Sequence, residues 1–481
     1  MTVNLKEQAF RGTFWSVIER FSLQGVQFII GVIMARLLSP HDYGVIGMIA
    51  VFMSISQVFI DGGFTSALIQ KKELSDEDFS TVFYINMGAS FLCYGILFVI
   101  APYISSFYNQ PILTSLTRIY GLNLIINSLV AVNKTKLVIA LDFKTQSKIS
   151  FISATISGGI GILSAYWGLS VWALVVQILS NSFFNLCLSF YFVRWFPHQT
   201  FSYKSFRNLF SFGSKLLVAS LISSVYSNLY SIVIGKKFTS DKLGYYTRAN
   251  QFAQLVSVNI ASVLSRVSFP LLSQIQDDDS RLVHVYSKYI RMSAFLVFPI
   301  VLGIGGIAKP LIQFLLSDTW IDAAYLLQIL VFAYLWDCIV DVNLSLLKVK
   351  GRTDLLLRLE IIKKSIAASI LCVTLFFNLT IICWGMVVYS CVSFYLNTLY
   401  TKKILNYSFK QQFVEILPYL LCALVVYCQG YFICELVSSP CLSIVISFVV
   451  CSISYLFLCY LFNSEPMRLL YIVLKNKLNF L

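Results

Sequence analysis

The chain has 481 residues, of which 58% are hydrophobic and 12% charged, about half the charged share of an ordinary soluble globular protein. That balance excludes a soluble enzyme, and the net charge of +14 is then better explained by membrane topology than by nucleic-acid binding. No loop exceeds roughly 20 residues, which leaves no room for a catalytic or nucleotide-binding domain. A Gly-x-x-x-x-Gly-Lys-Ser/Thr loop, the phosphate cradle of an ATPase, is also missing.

Apolar segments run near residues 13–35, 43–60, 80–103, 113–133, 149–167, 170–193, 212–235, 249–271, 287–308, 320–346, 361–380, 381–401, 413–433 and 441–462. Each approaches the ~20 residues that a helix needs to cross a hydrocarbon core of roughly 30 Å. The first begins after Met1–Glu7 and is too long, without a small-residue cleavage pattern, to be a signal peptide. The expected fold is therefore an all-α membrane protein with fourteen transmembrane helices.

Span 1 carries Glu19 and Arg20, neighbours ~100° apart on a helix. Ionisable groups at mid-bilayer cost at least ~2.5–3.5 kcal/mol, so each calls for a reason. Arg20 is a candidate for attracting an anionic substrate, with Glu19 pairing it or binding a coupling cation; a buried ion pair to another helix is the alternative. Ser39, Pro40 and Asp42 form the start signal of span 2, and Gly44 permits close packing there. Thr239, Ser240 and Asp241 restart span 8 in the same way, followed by Gly244. Asp61 closes span 2 beside Gly62 and Gly63, as a solvated end or an ion-coupling group.

Arg118, Asn123 and Asn127 lie on span 4, Lys215 at the start of span 7 and Arg248 at the start of span 8. Arg118, Lys215 and Arg248 are candidates for binding phosphate oxygens, which Arg takes bidentately, or are simply solvated ends. Asn123 and Asn127 form a polar stripe that matches Asp337 and Asp341 on span 10, one turn apart and hence on one face. Two such stripes suit facing walls of a water-filled cavity, and the carboxylates of the second are candidates for holding H+ or Na+. No metal or organic cofactor is expected: the twelve cysteines show no CxxC spacing and the three histidines sit in loops. The glycine runs at Gly158–Gly161 and Gly303–Gly306 lie inside spans and read as close helix contacts.

The chain also repeats itself. Arg36–Gly44 recurs as Lys236–Gly244, an offset of 200. Asn123, Asn127, Lys134 and Lys136 match Asp337, Asp341, Lys348 and Lys350 at an offset of 214, and Trp172–Val176 matches Trp384–Val388 at 212. Spans 1–6 are thus echoed by spans 7–12, as two parallel six-helix repeats around a central cavity. The expected divisions are an N-terminal lobe 1–205, a C-terminal lobe 206–405, and spans 13–14 with the tail, 406–481. Spans 13 and 14 have no repeat partner and read equally as a lipid-binding pair or a passive packing surface. With the N-terminus inside, 28 Lys and Arg fall on that side against six outside, which predicts two cytoplasmic termini.

The run Met34–Gly44, then Asp61–Gly63, Thr81–Asn86, Ala101–Pro102 and Phe107–Tyr108, with Ile234–Phe238 and Leu243–Ala249, resembles the WzxC-type polysaccharide exporters. These belong to a superfamily with the MATE exporters and the lipid II flippases. The resemblance covers roughly residues 10–400. It implies two lobes around a cavity, alternating access and no covalent chemistry. The implied cargo is undecaprenyl-diphosphate-linked oligosaccharide, moved from the cytoplasmic to the periplasmic leaflet of the bacterial inner membrane. Membrane lipids, a polysaccharide polymerase and chain-length machinery are the implied partners, and nucleic acid is not. In lipid II flippases helices 13–14 form a groove for the lipid tail. The positions matching Glu19 and Arg20 in span 7 are Ala219 and Ser220, so a cationic site would be lopsided. A cation-coupled drug antiporter shares the fold and is the main rival. A membrane-embedded polymerase or acyltransferase would need a large loop or an intramembrane His/Asp or Arg cluster.

Overall fold

The computed structural model describes residues 23–71, 73–462 and 465–468, and every regular element among them is helical. In chain order these are α1 (Leu23–Leu37), α2 (Pro40–Asp61), α3 (Phe64–Gln70), α4 (Asp76–Tyr108), α5 (Ile112–Ile139), α6 (Phe143–Tyr166), α7 (Val171–Val193), α8 (Tyr203–Lys237) and α9 (Ser240–Gln274). There follow α10 (Asp279–Gly306), α11 (Ala308–Leu315), α12 (Ile321–Tyr334), α13 (Asp337–Val349), α14 (Thr353–Thr374), α15 (Leu379–Leu405), α16 (Phe409–Leu436) and α17 (Pro440–Leu461). Among the described residues, eleven helical segments are long and apolar enough to cross a membrane. The protein is therefore a multi-pass, all-α membrane protein. The expected spans 8 and 11 correspond to α9 and α14, which are helical but outside those eleven; of the expected span 1, residues 13–22 lie outside the described residues and α1 is the described part.

The chain forms two compact units that divide after Gly244. In the first, α4 packs on α5, α6 on α7, and α2 on α8. Phe64, Leu68, Phe79, Phe83, Val132 and Trp195 make one apolar core, and Ile30, Met34 and Leu174 another. The α2 start signal is fully formed: Asp42 N–H donates to Ser39 Oγ at 3.3 Å, and Ser39 N–H donates back to Asp42 Oδ2 at 2.9 Å. Ser170 at the head of α7 adds a hydroxyl donor to the same carboxylate, which satisfies a nearly buried charge.

Gly44 is occupied by backbone rather than side chain. The carbonyl of Ser240 lies where its β-carbon would be, and the carbonyl of Pro40 lies where that of Gly244 would be. The two starts, 40–44 and 240–244, therefore cross with each glycine receiving the other segment's first residue. Gln110 braces the crossing, its Nε2 donating to Ser240 Oγ at 3.1 Å.

In the second unit, α10 packs on α16, α16 on α17, and α12 on α15. Leu282, Tyr286, Ile290, Ala294, Phe298 and Leu302 recur every four residues and form the buried face of α10. Gly305 and Gly306 let Tyr427 of α16 come into contact, as the glycine run predicted. The expected continuous span 320–346 is instead two helices: it turns at Leu335 and Trp336, where Trp336 stacks on Phe394 at 4.7 Å. Asp337 consequently opens α13, a position where the helix dipole favours a carboxylate.

Candidate substrate cavity

On α2, Ser54, Gln57, Val58 and Asp61 follow the spacing i, i+3, i+4, i+7 and so share one face. On α8, Ser220, Ser223, Ser224 and Ser227 follow the same spacing and face them. The two faces enclose a cavity of about 600 Å³, which Gly63 and Asn228 complete. An apolar span with such a face exposes hydroxyls to lipid unless the face meets a polar partner, and here each face is the partner of the other.

Two close contacts hold the walls. Asn228 Nδ2 donates across to Ser54 Oγ at 2.9 Å and back to the Ser224 carbonyl at 2.8 Å. At the other end Gly63 and Gly213 pass with no room for a β-carbon. Gly62 and Gly63 have φ of 52° and 74°, the left-handed region that glycine tolerates, and this breaks α2 from α3. Asp61 thus sits on the last turn of α2, with Thr65 Oγ1 donating to its Oδ1 at 2.5 Å.

Of the sequence-predicted site residues, Asp61 lines this cavity. Glu19 and Arg20 lie outside the described residues. Arg118 stays on the α4–α5 face, 4.4 Å above the Phe98 ring, with its Nε donating to the Phe98 carbonyl at 3.4 Å. Asn123 and Asn127 are half-buried on α5, and Lys215 is exposed on α8 before the serine face. Arg248, in the second unit, donates from Nη1 to Gln251 Oε1 at 2.7 Å. The serine face was missed because serine carries no charge to flag it, although its spacing was legible.

The second unit holds an ionic cluster. Asp337 and Asp341 are half-buried on one face of α13; Asp341 lies within the field of Lys348, and both lie within that of Lys363 on α14. Lys363, one of the 28 Lys and Arg that the sequence places on the cytoplasmic side, is 5% exposed. Its ammonium sits 2.5 Å from Glu360 Oε1. A buried ammonium with carboxylate partners is a satisfied arrangement, and removing either sign leaves the other uncompensated.

In the same unit, α10, α16 and α17 enclose an apolar groove of about 370 Å³ lined by Pro299, Gly303, Val426, Phe448, Cys451 and Tyr455. Tyr455 donates to the Phe295 carbonyl at 2.8 Å, and Cys451 Sγ donates to the Val426 carbonyl at 3.5 Å. At one end, Arg291 bridges Glu415 at 3.7 Å and Glu465 at 3.0 Å. Helix α16 and the residues after α17 are therefore tied to α10 by ion pairs as well as packing.

A family of polysaccharide biosynthesis proteins matches residues 33–325. The teichuronic acid biosynthesis protein TuaB of Bacillus subtilis is 24% identical over 354 residues, 73% of each chain. The lipopolysaccharide biosynthesis protein WzxC of Escherichia coli is 25% identical over 75% of this chain and 74% of its own. The succinoglycan biosynthesis transport protein ExoT of Rhizobium meliloti is 24% identical over 66% of this chain and 64% of its own. Among solved structures, the lipid II flippase MurJ in an inward closed conformation superposes with a TM-score of 0.75 at 14% identity, covering 93% of this chain and 98% of that one. An inward-facing MATE family transporter of the MOP superfamily gives 0.58 at 13% identity, over 81% and 98%. These two likenesses concern the fold.

Proposed function

The chain belongs to the polysaccharide biosynthesis protein family, and on that premise we propose that it is a flippase for lipid-linked oligosaccharide. It would take undecaprenyl-diphosphate-linked repeat units from the cytoplasmic to the periplasmic leaflet of the inner membrane, for surface polysaccharide assembly. The observation that carries this reading is the hydroxyl- and amide-walled cavity between α2 and α8. A sugar headgroup cannot cross hydrocarbon alone, because each unpaired hydroxyl loses its water at a cost of a few kcal/mol, ~2–7 on transfer scales. The cavity offers replacement partners, and no covalent step is required.

The apolar groove of α10, α16 and α17 suits the prenyl chain, which has no reason to leave an apolar surround. In this reading fourteen helices form two parallel six-helix repeats, in lobes 1–205 and 206–405, with 406–481 as the accessory part. The reciprocal crossing of Gly44 with Ser240 and of Gly244 with Pro40 supports it, since a two-fold axis through the crossing exchanges the two contacts. By this division α2 belongs to the first repeat and α8 to the second, so separating them at the crossing opens the cavity to the periplasm. Both termini would then be cytoplasmic. Asp337 and Asp341, balanced by Lys363, are the candidates for H+ or Na+ coupling, and a polymerase with chain-length machinery is the candidate downstream partner.

The test is transbilayer movement of a labelled undecaprenyl-diphosphate oligosaccharide in proteoliposomes of the purified chain. Protein-dependent appearance of the sugar on the opposite leaflet is expected. No movement, together with export of small organic cations, would transfer the case to a drug antiporter.

A further inference from the structure

The polarity of the cavity wall goes further than its being polar. Among the described residues, the ten that line the cavity include five serines, two side-chain amides and one ionisable group, the carboxylate of Asp61. The hydrogen bonds within the wall consume donors. Both N–H groups of Asn228 are spent, on Ser54 Oγ and the Ser224 carbonyl. The hydroxyl protons of Ser54 and Ser227 are spent on the carbonyls of Val51 and Ser224 at 2.8 and 3.0 Å. What these groups still present is acceptor: the Asn228 carbonyl oxygen, serine lone pairs and the Asp61 carboxylate. The hydroxyls of Ser220, Ser223 and Ser224 and the amide of Gln57 stand beside them as donors, so the wall pairs with sugar hydroxyls, which both donate and accept. A sugar carboxylate, by contrast, carries the same charge as Asp61 and is repelled by it.

Resting on the flippase reading above, we infer that the α2–α8 cavity takes uncharged sugars and discriminates against acidic ones. A cavity of about 600 Å³ is within the ~300–1,000 Å³ range of pockets that enclose a drug-sized ligand, which suits a short oligosaccharide and not a polymer. Selection here has an attractive part, the uncharged hydroxyl and amide wall, and a repulsive part, Asp61.

The experiment is equilibrium binding in nanodiscs of two polyprenyl-diphosphate disaccharides that differ only in a terminal hexose against a hexuronic acid. The neutral lipid is expected to bind about tenfold more tightly, since like-charge juxtaposition is strongly disfavoured. Asp61→Asn should narrow the gap through tighter binding of the acidic lipid. Because Asp61 closes α2 and that variant is open to misfolding, Ser223→Asp is the second variant, and it should widen the gap. Equal affinities in the wild type, or a ratio that neither substitution moves, would overturn the inference while leaving the flippase reading standing. Binding of neither lipid would overturn both.

Discussion

Gly44 and Ser240 meet backbone to backbone: the Ser240 carbonyl occupies the place of a Gly44 β-carbon. Ser240 is almost fully buried, and its hydroxyl accepts from Gln110. Even a methyl group at Gly44 must push the two segments apart. Overpacking of this kind costs about 1–3 kcal/mol. Gly44→Ala should therefore lower the melting temperature in detergent, and Gly244→Ala should act likewise through Pro40. Gly88→Ala is the control, because nothing lies within 4 Å of a β-carbon there. Equal melting temperatures for all three variants would refute the crossing.

Asn228 ties the cavity walls through Ser54. Asn228→Ala removes both bonds and is expected to cost about 1 kcal/mol, the net value of a typical hydrogen bond. A double-mutant cycle with Ser54→Ala isolates the cross-helix part, and a coupling energy near zero would contradict the tie.

Lys363 should be among the least replaceable cations. Lys363→Met leaves Glu360 without its partner and Asp337 and Asp341 with only the field of Lys348 on Asp341, and breaking a buried pair costs roughly 3–5 kcal/mol. Adding Asp337→Asn should recover part of the lost stability. The single change Asp337→Asn should impair transport while insertion stays normal. Unchanged transport at every pH and Na+ level would end the coupling proposal.

The groove of α10, α16 and α17 can be filled without touching the cavity. Gly303 lines it, with the nearest side-chain atom, on Val426, 3.7 Å from a β-carbon. Gly303→Leu is expected to slow transport severalfold with the melting temperature nearly kept. Full transport by a folded Gly303→Leu protein would place the prenyl chain elsewhere.

How far the sequence could be read depended on the kind of signal. Hydropathy located the helices, and the capping pattern at Ser39, Pro40 and Asp42 fixed the start of α2, because both are local. The glycines at 44 and 244 announced close packing, but not that they pack on each other, which is a fact of tertiary geometry. The turn at Leu335 and Trp336 was invisible because both residues are apolar and neither is a helix breaker. Site residues were sought by charge; of these, Asp61 lines the cavity, and Asp337 and Asp341 share a face of α13. The serine face of α8 was passed over although its i, i+3, i+4, i+7 spacing is plain in the chain. Lys363 was counted with the cytoplasmic-side cations by its charge alone, which says nothing of burial; Glu360, one turn before it, pairs with it.

The most direct test of the α2–α8 cavity as the sugar's passage uses Ser227→Trp. Its side chain would fill the cavity from α8, at a position whose serine is exposed and bonds only within its own helix. Movement of labelled undecaprenyl-diphosphate oligosaccharide is to be followed in proteoliposomes of wild-type and Ser227→Trp protein with matched melting temperatures. The account predicts protein-dependent movement in the wild type and its loss in the variant. Equal movement in both would show that the headgroup does not pass between α2 and α8.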